Sequence, residues 1–149
     1  MRPDATPVVI LCGGRGIYID ESGRRRSKAL VEVNGEPMVA HVMRSYLAAG
    51  FRSFVLAAGY QGEQLAATLS SRYGGGRGDD RAFEVELRGR DCEVRVVDTG
   101  LDSTTGERVN RVRPYLAGAE TFAVTYSDTI STVDLAKLGA AHERHGRVA

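Results

Sequence analysis

Runs of apolar residues broken by glycine-rich or polar turns divide this chain into strands and helices. Val8-Val9-Ile10-Leu11-Cys12 is an unbroken apolar run rich in β-branched residues, the pattern of a strand buried on both faces. It enters Gly13-Gly14-Arg15-Gly16, so the chain turns sharply at that strand's C-terminal end. Residues 20–27 are polar and carry Arg24-Arg25-Arg26, which predicts an exposed, mobile loop. Pro37 suits the first turn of a helix; Val39, Val42, Met43, Tyr46 and Leu47 follow at helical spacing, and Gly50 ends the element. Phe54-Val55-Leu56-Ala57-Ala58 reads as a second buried strand, and residues 64–73 as a second helix with Leu65 and Leu69 on one face. Residues 74–80, Gly-Gly-Gly-Arg-Gly-Asp-Asp, predict a flexible connector. Phe83, Val85 and Leu87 alternate as in a half-exposed strand. Val94-Arg95-Val96-Val97 is a further strand, closed by Asp98-Thr99-Gly100. A short helix is expected within residues 105–116, then a strand from Phe122 to Tyr126 ending at Ser127-Asp128. A last helix is expected over residues 133–144, capped by Gly146.

Strands alternating with helices predict an α/β fold: a mainly parallel, Rossmann-like sheet with helices on both faces. Ligands of such sheets bind beyond the C-terminal ends of the strands. Three segments fall there: residues 13–16, residues 59–62 and Asp128. No internal repeat is visible. Residues 1–149 read as one domain. Arg147-Val148-Ala149 resembles the opening of another strand, which predicts either a missing element or a longer whole.

Composition narrows the function. A formal charge of +1 argues against a general nucleic-acid or membrane-surface binder. No run approaches a membrane span, and the apolar stretch near the N-terminus is too short for a signal peptide. Cys12 and Cys92 make neither a disulfide scaffold nor a zinc site, so a reduced, cytoplasmic protein is expected. Lysine occurs only at Lys28 and Lys137, and every other cationic residue is arginine. Lys28 stands after the glycine-rich segment, where a compact charge can meet a phosphoryl group.

The glycine-rich turn has several readings. Consecutive amides can hold a phosphate or a base edge; the alternative is a tight turn with no ligand. A dinucleotide fingerprint is not met: Ile19 stands where its third glycine belongs, and Ala57-Ala58-Gly59 supplies no acidic residue for a ribose. A Walker loop is absent, since Ala29 follows Lys28. Asp128 can hold Mg²⁺ where phosphates supply the other ligands, or can cap a helix. Arg24-Arg25-Arg26 reads as a solvated charge run before a phosphate clamp. His142 and His145 lack a third ligand and read as surface residues, and His41 has no visible partner. No nucleophile triad is present.

The order strand, Gly-Gly-x-Gly, Lys28, Val31-Glu32-Val33-Asn34-Gly35-Glu36-Pro37-Met38, helix, strand, Gly59-Tyr60-Gln61-Gly62 resembles the sugar-1-phosphate nucleotidylyltransferases. Residues 97–112, Val-Asp-Thr-Gly-Leu-Asp-Ser-Thr-Thr-Gly-Glu-Arg-Val-Asn-Arg-Val, are similar to the glucose-1-phosphate cytidylyltransferase branch. Thr125-Tyr126-Ser127-Asp128 resembles that branch's strand-end metal aspartate. The resemblance covers essentially the whole chain and only the N-terminal, nucleotide-binding part of the family. It implies a nucleotidyltransferase fold incomplete at its C-terminus. It also implies attack of a sugar 1-phosphate on the α-phosphate of CTP, with loss of pyrophosphate and without a covalent intermediate. Lys28 and Asp128 are then the catalytic residues, Asp128 through Mg²⁺. Cys12, Gly13, Gly14, Arg15, Gly16 and Lys28 would line the nucleotide, with Tyr60 and Gln61 near the base. Thr105, Arg108 and Arg111 would bind its phosphates, from the same or a neighbouring subunit. A homo-oligomer, or completion by a further segment or chain, is the implied assembly.

Two departures bear on this. The family's Gly-x-Gly-Thr-Arg-Leu loop is here Gly14-Arg15-Gly16-Ile17-Tyr18-Ile19, so two phosphate contacts are gone, each of the kind that contributes about 1.5–3 kcal/mol. Ser127-Asp128-Thr129 replaces Gly-Asp-Gly. The family's sugar pocket, second metal carboxylate and later Glu-Lys-Pro segment have no counterpart in residues 1–149. Three functions follow: the nucleotide half of a cytidylyltransferase, a catalytically impaired nucleotide-binding or assembly module, or a structural subunit that binds no nucleotide.

Overall fold

In the computed structural model the β-branched run forms β1 (Val8–Leu11), whose four residues are all buried. It lies second from one edge of a six-stranded sheet, with β6 (Ser53–Ala58) on one side and β10 (Ala123–Tyr126) on the other, both parallel to it. β9 (Asp91–Asp98) continues the parallel set beside β6. β8 (Ala82–Glu86) pairs antiparallel with β9, and β7 (Gly74–Asp79) antiparallel with β8, giving the order β10-β1-β6-β9-β8-β7. The structure describes every residue except 15, 16, 21, 80, 117, 148 and 149, and residues 17 and 75–79 as backbone only.

Both faces of the sheet carry helices, as expected for strands without polar alternation. On one face α1 (Met38–Ala48) and α2 (Gly62–Tyr73) bring Val39, Val42, Met43, Leu47, Leu65 and Leu69 onto Val8, Ile10, Phe54 and Leu56. On the other, α3 (Thr105–Val112) and the 3-10 turn Arg113–Leu116 cover Val9, Leu11, Val55, Ala57 and Val97 with Val112 and Leu116. Each fully buried branched side chain contributes on the order of 1.5–3 kcal/mol, so the two layers dominate the stability. α4 (Leu135–His145) ends at Gly146, whose φ of 59° is the left-handed cap expected of glycine. The edge strand β10 leaves Val124 and Tyr126 exposed at 45% and 53%.

Two expected loops are ordered backbone. Residues 74–79, expected as a flexible connector, form β7: ladder bonds to β8 outweigh the poor strand propensity of glycine. Asp80 lies outside the described residues. Residues 20–27, expected as a mobile loop, belong to a hairpin of β2 (Ile17–Ile19) and β3 (Arg25–Ser27). Asp20 organises its turn, its carboxylate accepting from the Ser22 and Arg24 amides at 3.0 and 2.9 Å and from Arg26 Nε at 3.1 Å. Hydrogen bonding to Ser22 and then Arg24 holds its pKa far below the usual carboxylate range. A second small hairpin joins β4 (Glu32–Val33) to β5 (Glu36–Pro37) through Asn34 and Gly35, with φ of 51° and 76°. Of the residues 147–149 expected to open a strand, 148 and 149 lie outside the described residues.

Candidate functional site

β1 and β10 end side by side, and their C-terminal ends open into a cavity of about 410 Å³. Cys12, Gly13 and Gly14 line it from the end of β1, Ser127 and Asp128 from the end of β10, Ser27 and Lys28 from the end of the β2–β3 hairpin, Ser103 and Thr104 from the turn before α3, and Thr105 and Arg108 from α3. Seven of the residues singled out in the sequence therefore share one cavity: Cys12, Gly13, Gly14, Lys28, Thr105, Arg108 and Asp128. Arg15 and Gly16 lie outside the described residues. Tyr60, Gln61 and Arg111 stand nearby without lining it.

Lys28 and Asp128 meet across the cavity, Lys28 Nζ donating to Asp128 Oδ2 at 3.0 Å although 100 residues separate them. Both side chains remain open to solvent, at 51% and 34% exposure, so the pair adds little to stability. It poises a cation and a carboxylate at the mouth of the site.

Arg108 is the opposite case. It is 4% exposed and ties together the loops that follow β6 and β9. Its Nη1 donates to the Ala58 carbonyl at 3.2 Å, Thr99 Oγ1 at 2.6 Å and the Gly100 carbonyl at 2.8 Å; its Nη2 donates to the Leu101 carbonyl at 3.1 Å. Burial, then the charge of Arg111, lowers its pKa, while Asp98 and Asp102 act the other way. A Cβ on Gly13 would collide with this guanidinium, and one on Gly59 would lie 2.8 Å from it and from the Gly13 carbonyl. Glycine at these two positions is thus a packing requirement of Arg108. Arg111 supports the same loop, donating to the Thr99 carbonyl at 2.8 Å.

α3 presents its first turn to the cavity because Thr104 caps it. The Thr104 amide donates to Glu107 Oε2 at 2.6 Å, and Thr104 Oγ1 accepts from the Glu107 amide at 3.4 Å. Those bonds, led by the Thr104 amide, lower the pKa of Glu107. A helix N-terminus beside Arg108 and Lys28 makes this wall favourable for an anion. Cys12 is no nucleophile: burial, with the Asp128 charge adding to it and Ser127 and Arg108 opposing, pushes its thiol up to about 12.

Gln61 and Tyr60 form the turn between β6 and α2. The Gln61 amide turns to the hairpin, accepting from the Ser27 amide at 2.7 Å and donating to the Arg25 carbonyl at 3.3 Å. The sequence reading missed Ser27, Ser103, Thr104, Tyr126 and Ser127 as lining residues. Thr104-x-x-Glu107 was a legible capping signal; the others carry none.

Asp128 is one carboxylate, and among the described residues no group of three or more His, Cys, Asp or Glu is placed to hold a metal ion. This donor set fits Mg²⁺ only where phosphate oxygens complete the coordination. Among the described residues no helix is long and apolar enough to cross a membrane.

A mainly parallel sheet with glycines, a lysine and an aspartate converging at its C-terminal edge defines an α/β domain of the nucleotidyltransferase type. Residues 8–148 match the MobA-like NTP transferase domain, and the chain belongs to that family. It is 30% identical over 146 residues to a probable glucose-1-phosphate cytidylyltransferase of Bacillus subtilis, covering 95% of this chain and 57% of that one. It is likewise 30% identical over 147 residues to the glucose-1-phosphate cytidylyltransferase of Salmonella typhimurium, again covering 95% and 57%. The chain thus spans little more than half the length of these relatives. Its fold is shared with HddC from Yersinia pseudotuberculosis, crystallised in complex with GMP-PN, at a TM-score of 0.68 and 19% identity, covering 92% of this chain and 54% of that one.

Proposed function

We propose that this chain is the nucleotide-binding part of a sugar-1-phosphate cytidylyltransferase. The observation that carries the reading is the single cavity on which Gly13, Gly14, Lys28, Asp128, the first turn of α3 and Arg108 converge. CTP as the nucleotide is supported by the likeness to the two cytidylyltransferases.

In the reaction an oxygen of the sugar 1-phosphate attacks the α-phosphorus of CTP. The bond from that phosphorus to the bridging oxygen breaks, and pyrophosphate leaves with its electron pair. No covalent bond to the protein is required, so catalysis is alignment and charge neutralisation. The backbone of Gly13 and Gly14 lines the cavity on the nucleotide side. Lys28, released from Asp128, places its ammonium on the phosphates as charge builds up. Thr105 at the start of α3 offers backbone and hydroxyl donors to the phosphates. Arg108 keeps the loops after β6 and β9 in register and adds positive potential. Asp128 would hold Mg²⁺, which supplies charge neutralisation of the phosphate oxygens when bound. The sugar-phosphate subsite is contributed by a further segment or another chain, consistent with the exposed Val124 and Tyr126 at the β10 edge.

A second reading, a nucleotide-binding module with impaired turnover, is favoured by one feature. Ile17–Ile19 is a strand of the hairpin, with Tyr18 exposed at 44%, where the family's loop carries a threonine and an arginine.

Calorimetric titration with Mg·CTP, Mg·ATP and Mg·GTP tests the proposal. Selective binding of Mg·CTP is expected, weakened at least about tenfold in Lys28→Ala, the equivalent of roughly 1.4 kcal/mol. Absence of binding to all three overturns it. Pyrophosphate release with sugar 1-phosphates, once the remaining subsite is supplied, separates the enzyme from the binding module.

A further inference from the structure

We propose that Gln61 is the positioning residue for Lys28, acting through the backbone of β3; this rests on the nucleotide reading above. Among the described residues β3 has a partner strand, β2, on one edge only. On its other edge the Gln61 amide takes the place of a peptide unit: Oε1 accepts the Ser27 N–H at 2.7 Å and Nε2 donates to the Arg25 carbonyl at 3.3 Å. In an extended strand the N–H of one residue and the carbonyl two residues earlier point the same way, so one primary amide meets both. Ser27 is 2% exposed, and its N–H would otherwise lack water.

Gln61 is itself anchored. It stands at the N-cap of α2 with a left-handed φ of 56°, and its side chain makes no cap bond to that helix. Its carbonyl accepts from the Leu65 amide at 3.0 Å, and the Gly62 amide donates to the Gly59 carbonyl at 3.1 Å. The amide therefore ties the hairpin to the end of β6, the strand next to β1. Lys28 is the residue directly after Ser27 and opens the 3-10 turn Lys28–Leu30. Where β3 sits decides where the lysine ammonium can reach, and it now reaches Asp128 at 3.0 Å. Gln61 touches neither nucleotide nor metal in this scheme; its effect on binding passes through Lys28.

The test combines hydrogen exchange with a double-mutant cycle on the full chain. In Gln61→Leu the Ser27 amide is expected to exchange at least about tenfold faster while core amides of β1 and β6 are unchanged. Mg·CTP should bind about fivefold to tenfold more weakly than to wild type, the range of one or two lost hydrogen bonds. In a Lys28→Ala background the same change should have no further effect on Mg·CTP affinity. Gln61→Glu, which keeps the acceptor and loses the donor, should give an intermediate acceleration and carries the test if Gln61→Leu does not fold. Unchanged exchange at Ser27 overturns the proposal, as does an equal loss of affinity with and without Lys28. If wild type binds no Mg·CTP while Ser27 exchange accelerates in Gln61→Leu, the nucleotide reading fails and the tether stands.

Discussion

The two walls of the cavity are built differently. The α3 wall is centred on a buried guanidinium that bonds four oxygens from two strand-end loops. The hairpin wall is a two-stranded ribbon on the surface, folded at Asp20 and tied, among the described residues, through the Gln61 amide. The first wall is preorganised, since moving Arg108 would take a donor from oxygens at the ends of two strands at once. The second carries a solvent-exposed charge, Lys28, on a support whose attachment is local. In the proposed reaction, fixed dipoles on one side and an exposed cation on the other suit the entry of a polyphosphate and the departure of pyrophosphate.

The largest expected effect falls on the fixed wall. Arg108→Met should lower unfolding stability by about 2–4 kcal/mol in urea titration, because Thr99 Oγ1 and the Gly100 and Leu101 carbonyls lose this donor, while the Ala58 carbonyl keeps only its bonds from Thr99. Gly13→Ala should cost about 1–3 kcal/mol through collision with the same guanidinium. The double variant should cost clearly less than the sum, since the methyl has nothing to strike once Arg108 is gone. Additive costs would break the picture of Arg108 as a hub.

A smaller effect is expected at the cap of α3. Thr104→Ala should lower stability by about 1 kcal/mol in the same assay. It should also weaken Mg·CTP binding, because the helix turn facing the cavity frays. A variant as stable as wild type would show that packing of Val112 alone holds the helix.

The smallest effect belongs to the hairpin and is pH-dependent. The Asp20 pKa in the folded chain lies below its unfolded value, so its stabilisation is complete above the ordinary carboxylate range. Below about pH 4 the unfolded chain takes up the proton first, and the contribution is lost as pH falls through the lower, folded value. Faster exchange at the Ser22 and Arg24 amides on lowering pH, after correction for intrinsic rates, is expected; Asp20→Asn should remove that pH dependence. Equal responses in both chains would mean that Asp20 does not hold the turn.

Much of the framework was legible because its signals are local. Val8–Leu11, Ser53–Ala58 and Ala123–Tyr126 announce themselves as strands, and the helical spacing of Val39 to Leu47 as α1. Two errors share a cause. Residues 74–79 and 20–27 have loop composition, yet the first pairs with β8 and the second folds on Asp20. Neither partner can be seen from the segment's own propensity. The Asn34-Gly35 hairpin and the Thr104-x-x-Glu107 box were readable and went unread.

What the sequence determined by itself is the succession of elements and the edge of the sheet where chemistry collects. Apolar periodicity depends only on residues a few positions apart, and strand direction places Gly13 and Asp128 at C-terminal ends. Only the tertiary structure decided the partnerships: Lys28 with Asp128, Arg108 with the loops after β6 and β9, Gln61 with β3. Those depend on which strands become neighbours and how far each loop projects. Packing of both sheet faces sets that order, and no spacing along the chain encodes it.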